Sequence, residues 1–217
     1  MKKMLLAALA AGALGTAQGA VTNGGFEGNG GAGSFLDGWS TDSSSSKVAG
    51  AGRISNYGPC CGVWNSPATY PYGASAAFFG DGNRPGAAIW QDVSTTAGNH
   101  YVLSFVYGAI ADNYLQTMHV TVLDASSSNL LAATDVQAYG TRNLASMMSP
   151  YTVDFTATSA STRILFSDTS THTNNTDGVL DNVSIIAVPE PGTYAMMLAG
   201  LGLLGLTARR WRQKLDA

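Results

Sequence analysis

The chain has 217 residues, of which only 12% are charged, and it carries 26 glycines and a formal net charge of −3. This composition is unlike that of a helical cytosolic enzyme, which would have more Glu, Lys and Leu at helical spacing. Residues 21–188 hold five basic and twelve acidic side chains, a net charge of −7. Because phosphate binding needs a basic surface, this balance argues against nucleic acid as a partner.

Residues 1–20 have the pattern of a secretory signal peptide. A basic start at Lys2 precedes an apolar run over residues 4–14, and small residues such as Ala17 follow where a signal peptidase would cut. The alternative is a buried N-terminal helix, which the glycines in this stretch disfavour. We therefore expect recognition by the export machinery, export through the inner membrane, and cleavage between Ala17 and Val21.

Residues 21–187 are expected to form one all-β domain. Apolar and polar side chains alternate at a period of two, as from Tyr101 to Tyr107, and turn residues such as Gly98 separate the runs. Several short strands at this spacing are typical of a two-sheet sandwich. The predicted strands lie within residues 76–80, 87–93, 100–110, 118–122, 151–155, 164–166 and 179–186.

A loop between residues 56 and 73 is rich in aromatic side chains and contains three prolines. Sugars present C–H faces that stack on aromatic rings, so this loop is a candidate carbohydrate site. The alternative is that the rings pack the loop onto the sandwich. The candidate sugar contacts are Tyr57, Trp64, Tyr70 and Tyr72, with Asn65 and Arg84 as polar neighbours.

The same loop holds the two cysteines of the chain, Cys60 and Cys61, between Pro59 and Gly62. Export leads to an oxidising compartment, where a disulfide between them is an expectation. Adjacent cysteines can bond only through a strained eight-membered ring. Free thiols, or links to another chain, are the alternatives.

The body resembles the galactose-binding-like jelly rolls, which include several families of carbohydrate-binding modules. The resemblance rests on Asn23-Gly24-Gly25-Phe26-Glu27 with Leu36-Asp37-Gly38-Trp39 at the start, and on Val179-Leu180-Asp181-Asn182-Val183 at the end. Between them, Ile89-Trp90-Gln91-Asp92-Val93 precedes a turn and the strand Tyr101-Val102-Leu103-Ser104-Phe105. The resemblance implies a two-sheet jelly-roll sandwich.

That family often carries a structural calcium ion where the first and last strands meet. Glu27 and Asp181 stand at the matching positions, and carboxylate oxygens are the ligands that Ca²⁺ prefers. The resemblance therefore implies one structural Ca²⁺ at this pair. The alternative is that the two carboxylates make turn hydrogen bonds or a surface pair.

No pattern in the sequence indicates a catalytic site. His100, His119 and His172 have neither metal-ligand spacing nor a neighbouring nucleophile motif, and we expect them to be solvated strand or loop residues. A glycosidase would need two carboxylates opposed across a cleft, and no pair is singled out. We expect a protein that is not an enzyme, with a polysaccharide hydrolase as the remote alternative.

Residues 188–217 resemble the PEP-CTERM sorting tail. The motif Pro189-Glu190-Pro191 comes first, an apolar helix is predicted over about residues 193–208, and the basic residues Arg209, Arg210 and Arg212 follow. The helix is near the lower limit for crossing a bilayer, and the arginines should stay cytoplasmic. The resemblance implies a membrane-anchored precursor that an exosortase protease processes. A simple C-terminal anchor is the alternative.

These features together predict an exported, non-catalytic cell-surface or extracellular-matrix protein. We expect it to be membrane-anchored first, then surface-bound or secreted, and to bind exopolysaccharide. The alternative is a purely structural biofilm or matrix protein with no ligand site.

Overall fold

A computed structural model of the protein describes residues 20–28, 34–53, 70–143, 147–189 and 199–204. A short 3-10 helix, Ser34–Leu36, precedes ten strands in these residues. The strands are β1 (Ser40–Thr41), β2 (Ala49–Arg53), β3 (Ser75–Phe79), β4 (Ala88–Ser94), β5 (His100–Ala111), β6 (Leu115–Asp124), β7 (Leu130–Tyr139), β8 (Met148–Thr156), β9 (Ser161–Asp168) and β10 (Thr176–Val188).

The strands form two five-stranded antiparallel sheets. Sheet A has the order β1-β4-β9-β6-β7, and sheet B has the order β2-β3-β10-β5-β8. Consecutive strands mostly belong to different sheets, so the chain wraps around a shared core instead of folding as two separate meanders. The prediction of an all-β domain with two packed sheets is confirmed.

The core lies between the sheets and follows from the period of two. In β6 the side chains of Met118, Val120 and Val122 are fully buried, while their neighbours along the strand are half-exposed. Phe105 of sheet B meets Phe166 of sheet A edge to face, at 5.3 Å between ring centroids. Burying each such side chain contributes about 1.5–3 kcal/mol, so these rows hold the two sheets together.

A second, smaller apolar cluster lies on the outer face of sheet B. It includes Phe78 of β3, Ile110 of β5 and Val179 of β10. Tyr70, which precedes β3, covers the cluster and is itself only 5% exposed. Sheet B is therefore apolar on both faces in this region, because the segment before β3 packs against its outer side.

The sequence pattern did not indicate three of the strands. Strands β1 and β2 are short, and β2 is built from Ala, Gly and Arg without an apolar alternation. Strand β7 is an edge strand, and Val136 is its only buried residue. An edge strand buries little, so its sequence is under weak pressure to alternate.

The two ends of the chain lie mostly outside the described residues, including residues 1–19 and the predicted sorting residues beyond Pro189. Residues 199–204 are helical, within the predicted apolar helix. In the part of the chain that the structure describes, no helix has both the length and the apolarity needed to cross a membrane.

Candidate functional site

The structure places the candidate sugar contacts of the loop in different settings. The ring of Tyr70 is buried and packs edge-on against Tyr72, at 5.7 Å between centroids. Arg84 lies in another turn, where its Nε donates to the carbonyl of Asp81 at 3.0 Å. The other predicted site residues lie outside the described residues: Tyr57, Cys60, Cys61, Trp64, Asn65, Glu190, Pro191, Arg209, Arg210 and Arg212.

Glu27 and Asp181 both lie beside Gly25. A Cβ built on Gly25 would lie 3.9 Å from Asp181 Oδ1 and 3.9 Å from Glu27 Cγ, so the two side chains flank this glycine. Glu27 Oε1 accepts hydrogen bonds from the backbone N–H groups of Ala74 and Ser75, at 2.8 and 3.1 Å. The N-terminal segment is thereby joined to the start of β3.

The Asp181 carboxylate is fully buried. Its Oδ2 accepts a hydrogen bond from the Tyr70 hydroxyl at 2.6 Å, and its Oδ1 accepts one from the Asn182 N–H at 2.6 Å. Burial raises the pKa of this carboxyl to about 7, and the negative charge of Glu27 acts in the same direction. Burial and the Asp181 charge also raise the pKa of Tyr70 above its usual range.

This donor set suits a hard cation. Two carboxylates lie close together, one of them buried, and none of the ion pairs among the described residues supplies either with a positive partner. The described residues hold no cluster of three or more His, Cys, Asp or Glu side chains that could bind a metal. Glu27 and Asp181 would thus supply two carboxylates, and oxygens of other kinds would complete the shell.

The outer face of sheet A is a polar and aromatic surface, which we call the sheet A face. Its side chains come from the outward positions of four strands: Trp90 and Asp92 of β4, Arg163 of β9, His119 of β6, and Asp135 of β7. Strand pairing sets their order, with Asp92 opposite Arg163 and His119 opposite Asp135. Neighbouring strands lie about 4.8 Å apart, so the face spans roughly 14 Å from β4 to β7.

A groove of about 380 Å³ lies on this face, where β6, β7 and the end of β9 meet. His119 Nδ1 is 2.6 Å from Asp135 Oδ1, which fixes the orientation of the imidazole. Thr169 Oγ1 donates to Thr117 Oγ1 at 2.9 Å, and Gln137 completes the polar lining. The groove therefore presents hydroxyl, amide and imidazole groups, and side-chain pairs orient its imidazole and its hydroxyls.

Trp90 forms the aromatic part of the sheet A face. The guanidinium of Arg163 lies 5.9 Å from the Trp90 ring centroid. The same guanidinium donates two hydrogen bonds to the Asp92 carboxylate, at 2.6 and 2.8 Å, and this pairing raises the pKa of Arg163. The indole ring thus lies beside a cation that is itself hydrogen-bonded to a carboxylate.

The sheet A face was not among the sites predicted from the sequence. Trp90 and Asp92 alternate with the core residues Ile89 and Val93, so the period of two alone indicates that both point outward. The partnership of His119 with Asp135 had no such signal, because β7 was not predicted. A surface made from strands of distant sequence positions becomes visible only when the sheet order is known.

One comparison identifies the tail. Residues 187–213 match the PEP-CTERM protein-sorting motif. A comparison with curated protein sequences found no match.

Solved structures of similar fold include carbohydrate-binding module jelly-roll domains. An arabinose-bound α-L-arabinofuranosidase has a TM-score of 0.53 at 12% identity, and the alignment covers 80% of this chain and 27% of that one. The module TmCBM61, solved in complex with β-1,4-galactotriose, has a TM-score of 0.49 at 14% identity over 79% and 99% of the two chains. Tailspike protein 4 of bacteriophage CBA120 has a TM-score of 0.47 at 13% identity, over 78% and 21%. The likeness to the arabinofuranosidase shows a shared sandwich fold, and this chain spans about a quarter of that enzyme's length.

Proposed function

We propose that the chain is an exported, non-catalytic protein of the cell surface or extracellular matrix, and that it binds polysaccharide on the sheet A face. Its sorting would depend on the PEP-CTERM tail, processed by an exosortase near Pro189-Glu190-Pro191. The match at residues 187–213 carries the sorting part of this proposal. The signal-peptide pattern of residues 1–20 and the basic end of the tail support export with a membrane-anchored precursor.

The groove on the sheet A face carries the binding part. Its volume of about 380 Å³ falls at the small end of the usual range for ligand sites. His119 and Gln137 offer hydrogen-bonding groups suited to sugar hydroxyls, and Trp90 offers an aromatic surface on the same side of the sheet. Because Asp135 and Arg163 already hold partners, the face can meet a ligand with little loss of side-chain freedom.

The binding proposal predicts that Trp90→Ala and His119→Ala each weaken polysaccharide binding. We expect a loss of about tenfold for each, which corresponds to about 1.4 kcal/mol. The measurement is a glycan array with purified residues 21–188, followed by titration calorimetry on the best ligand. Ile186→Ala, an exposed residue on the outer face of sheet B, is the matched control and should bind normally. Binding that survives both sheet A substitutions would exclude this face as the site.

The sorting proposal predicts that Glu190→Ala leaves a longer, membrane-bound form in a host that processes the wild-type chain. The change removes the carboxylate of the motif while leaving the apolar helix and the arginines intact. Immunoblots of membrane and released fractions would measure it, with Asp216→Asn in the same tail as a control. Normal processing of the Glu190 variant would contradict exosortase sorting.

We also propose that Glu27 and Asp181 hold one structural Ca²⁺. The support is a buried carboxylate beside a second one, in a setting where a cation would neutralise both charges. The ion would join the N-terminal segment to β10.

A further inference from the structure

The sorting motif follows the last strand of the sandwich without a linker. Val188 is the last residue of β10 and pairs with His100, the first residue of β5. Pro189 comes next, and Glu190 is two residues beyond Val188. An extended chain advances at most about 3.5 Å per residue, so the two residues from Val188 to the carboxylate of the motif can span no more than about 7 Å. Any protease that binds the motif must therefore contact the folded domain.

Three turns lie at the end of the sandwich where β10 ends, and we call them together the exit surface: residues 95–99, 125–129 and 157–160. Hydrogen bonds join them into one unit. The N–H of Thr95 donates to the carbonyl of Ala160 at 3.0 Å, and the N–H of Gly98 donates to the carbonyl of Ala157 at 2.8 Å. The hairpin 125–129 is tied in through Thr158, whose hydroxyl donates to Asp124 Oδ2 at 2.5 Å. The exit surface is therefore a connected part of the fold.

The exit surface carries no charged residue in its three turns, although the body has a net charge of −7. Its residues are Thr, Ser, Ala, Gly and Asn. The adjoining carboxylate, Asp124, is buried and accepts hydrogen bonds from the hydroxyls of Ser126 and Thr158. These hydrogen bonds hold the pKa of Asp124 well below its usual range. The negative charge of Asp124 is therefore stabilised by groups within the turns.

Exposed apolar side chains continue this surface along the strand that leads to the motif. Ile186 and Val188 point outward from β10 and are 52% and 40% exposed. Small uncharged turns beside exposed aliphatic residues are suited to close contact with another protein, because no charge has to be desolvated when they are covered.

We propose that the exit surface is the docking surface for the membrane-embedded peptidase that processes the tail. This inference rests on the sorting proposal above. Because no linker separates the motif from β10, the peptidase must contact this end of the sandwich. The small uncharged turns allow the close approach that the short connection between Val188 and the motif requires. The folded domain thus takes part in its own processing, as a surface that the enzyme must fit.

The test places charge on two exposed alanines of the exit surface in the full-length chain. We expect Ala97→Glu with Ala160→Glu to slow conversion of precursor to mature form about tenfold, because the added charges must be desolvated in the complex. Ala97→Lys with Ala160→Lys should do the same, since the burial of either charge is unfavourable. The matched control is Thr171→Glu with Asn174→Glu, at the opposite end of the sandwich, which should be processed at the wild-type rate.

A linker separates this effect from misfolding. Six Gly and Ser residues inserted between Val188 and Pro189 should restore normal processing to the charged variants, because the motif then reaches the peptidase without contact. Slow processing that persists with the linker, or charged variants processed at the wild-type rate, would overturn the proposal. So would loss of membrane association by the charged precursors, which would assign the surface to lipid. If Glu190→Ala is processed normally, it is the sorting proposal that fails.

Discussion

At the scale of single residues, Asp177 is a buried carboxyl that no sequence pattern predicted. It is 9% exposed and lies on β10 opposite Ile110. Burial raises its pKa from 3.8 to about 7, and the charges of Asp81 and Asp168 act in the same direction. The native protein therefore binds this proton more tightly than the unfolded chain does. The contribution of Asp177 to stability is full below pH 4 and is lost as the pH rises through 7.

Asp177→Asn is accordingly expected to stabilise the protein at pH 8 and to have little effect at pH 4. An amide avoids the ionisation that burial opposes, and we expect a gain of about 1–3 kcal/mol at pH 8, or several degrees in melting temperature. Thermal unfolding of both proteins at the two pH values measures it. The exposed Asp37→Asn is the control. An equal effect of Asp177→Asn at both pH values would contradict the assignment.

At the scale of elements, the N-terminal segment and β10 are locked together. The N–H of Val183 donates to the carbonyl of Gly24 at 2.9 Å, inside an irregularity of β10 between Asp181 and Ser184. A Cβ on Gly24 would lie 2.0 Å from the carbonyl oxygen of Val183, so only glycine allows this approach. The side chains of Glu27 and Asp181 lie near this contact, on either side of Gly25.

If Ca²⁺ occupies that pair, a chelator should lower the melting temperature of residues 21–188. Ion binding at one hundred times its dissociation constant stabilises by about 2.7 kcal/mol, or roughly 5–10 °C for a domain of this size. Differential scanning calorimetry with and without EDTA measures the shift. Glu27→Gln should remove most of the chelator effect, and Asp37→Asn should preserve it. An unchanged melt of the wild-type protein in excess EDTA would rule against the ion.

The strands show what could be predicted at this scale. The patterns around Phe105, Val120 and Phe166 indicated β5, β6 and β9, because buried residues on one face of a strand recur every second position. Strand β7 has no such alternation of buried residues, because Val136 is the only residue of the strand that is buried. The candidate site includes Asp135 of β7. The patterns of individual strands were therefore not enough to predict the site.

At the scale of the whole molecule, the outer faces of the two sheets differ in what covers them. Tyr70 covers the part of the outer face of sheet B around Phe78 and Val179, whereas the outer face of sheet A presents Trp90 and His119. The body is acidic, and the side chains of Arg163 and His119 are paired with carboxylates on that face. If a ligand binds the sheet A face, its hydroxyl groups and ring faces would thus contribute more to recognition than its charge would.

The sequence by itself determined the features that depend on local order. The tail motif is one continuous segment, and the alternation of apolar residues runs along each inner strand. Both features can therefore be identified without knowing which other segments they contact. Only the tertiary structure decided which distant residues meet. Strand pairing brought His119 to Asp135 and Asp92 to Arg163, and it placed Val188 opposite His100, beside the turn 95–99 of the exit surface. Sheet order sets these contacts, and it follows from packing energies summed over the whole core rather than from any one segment.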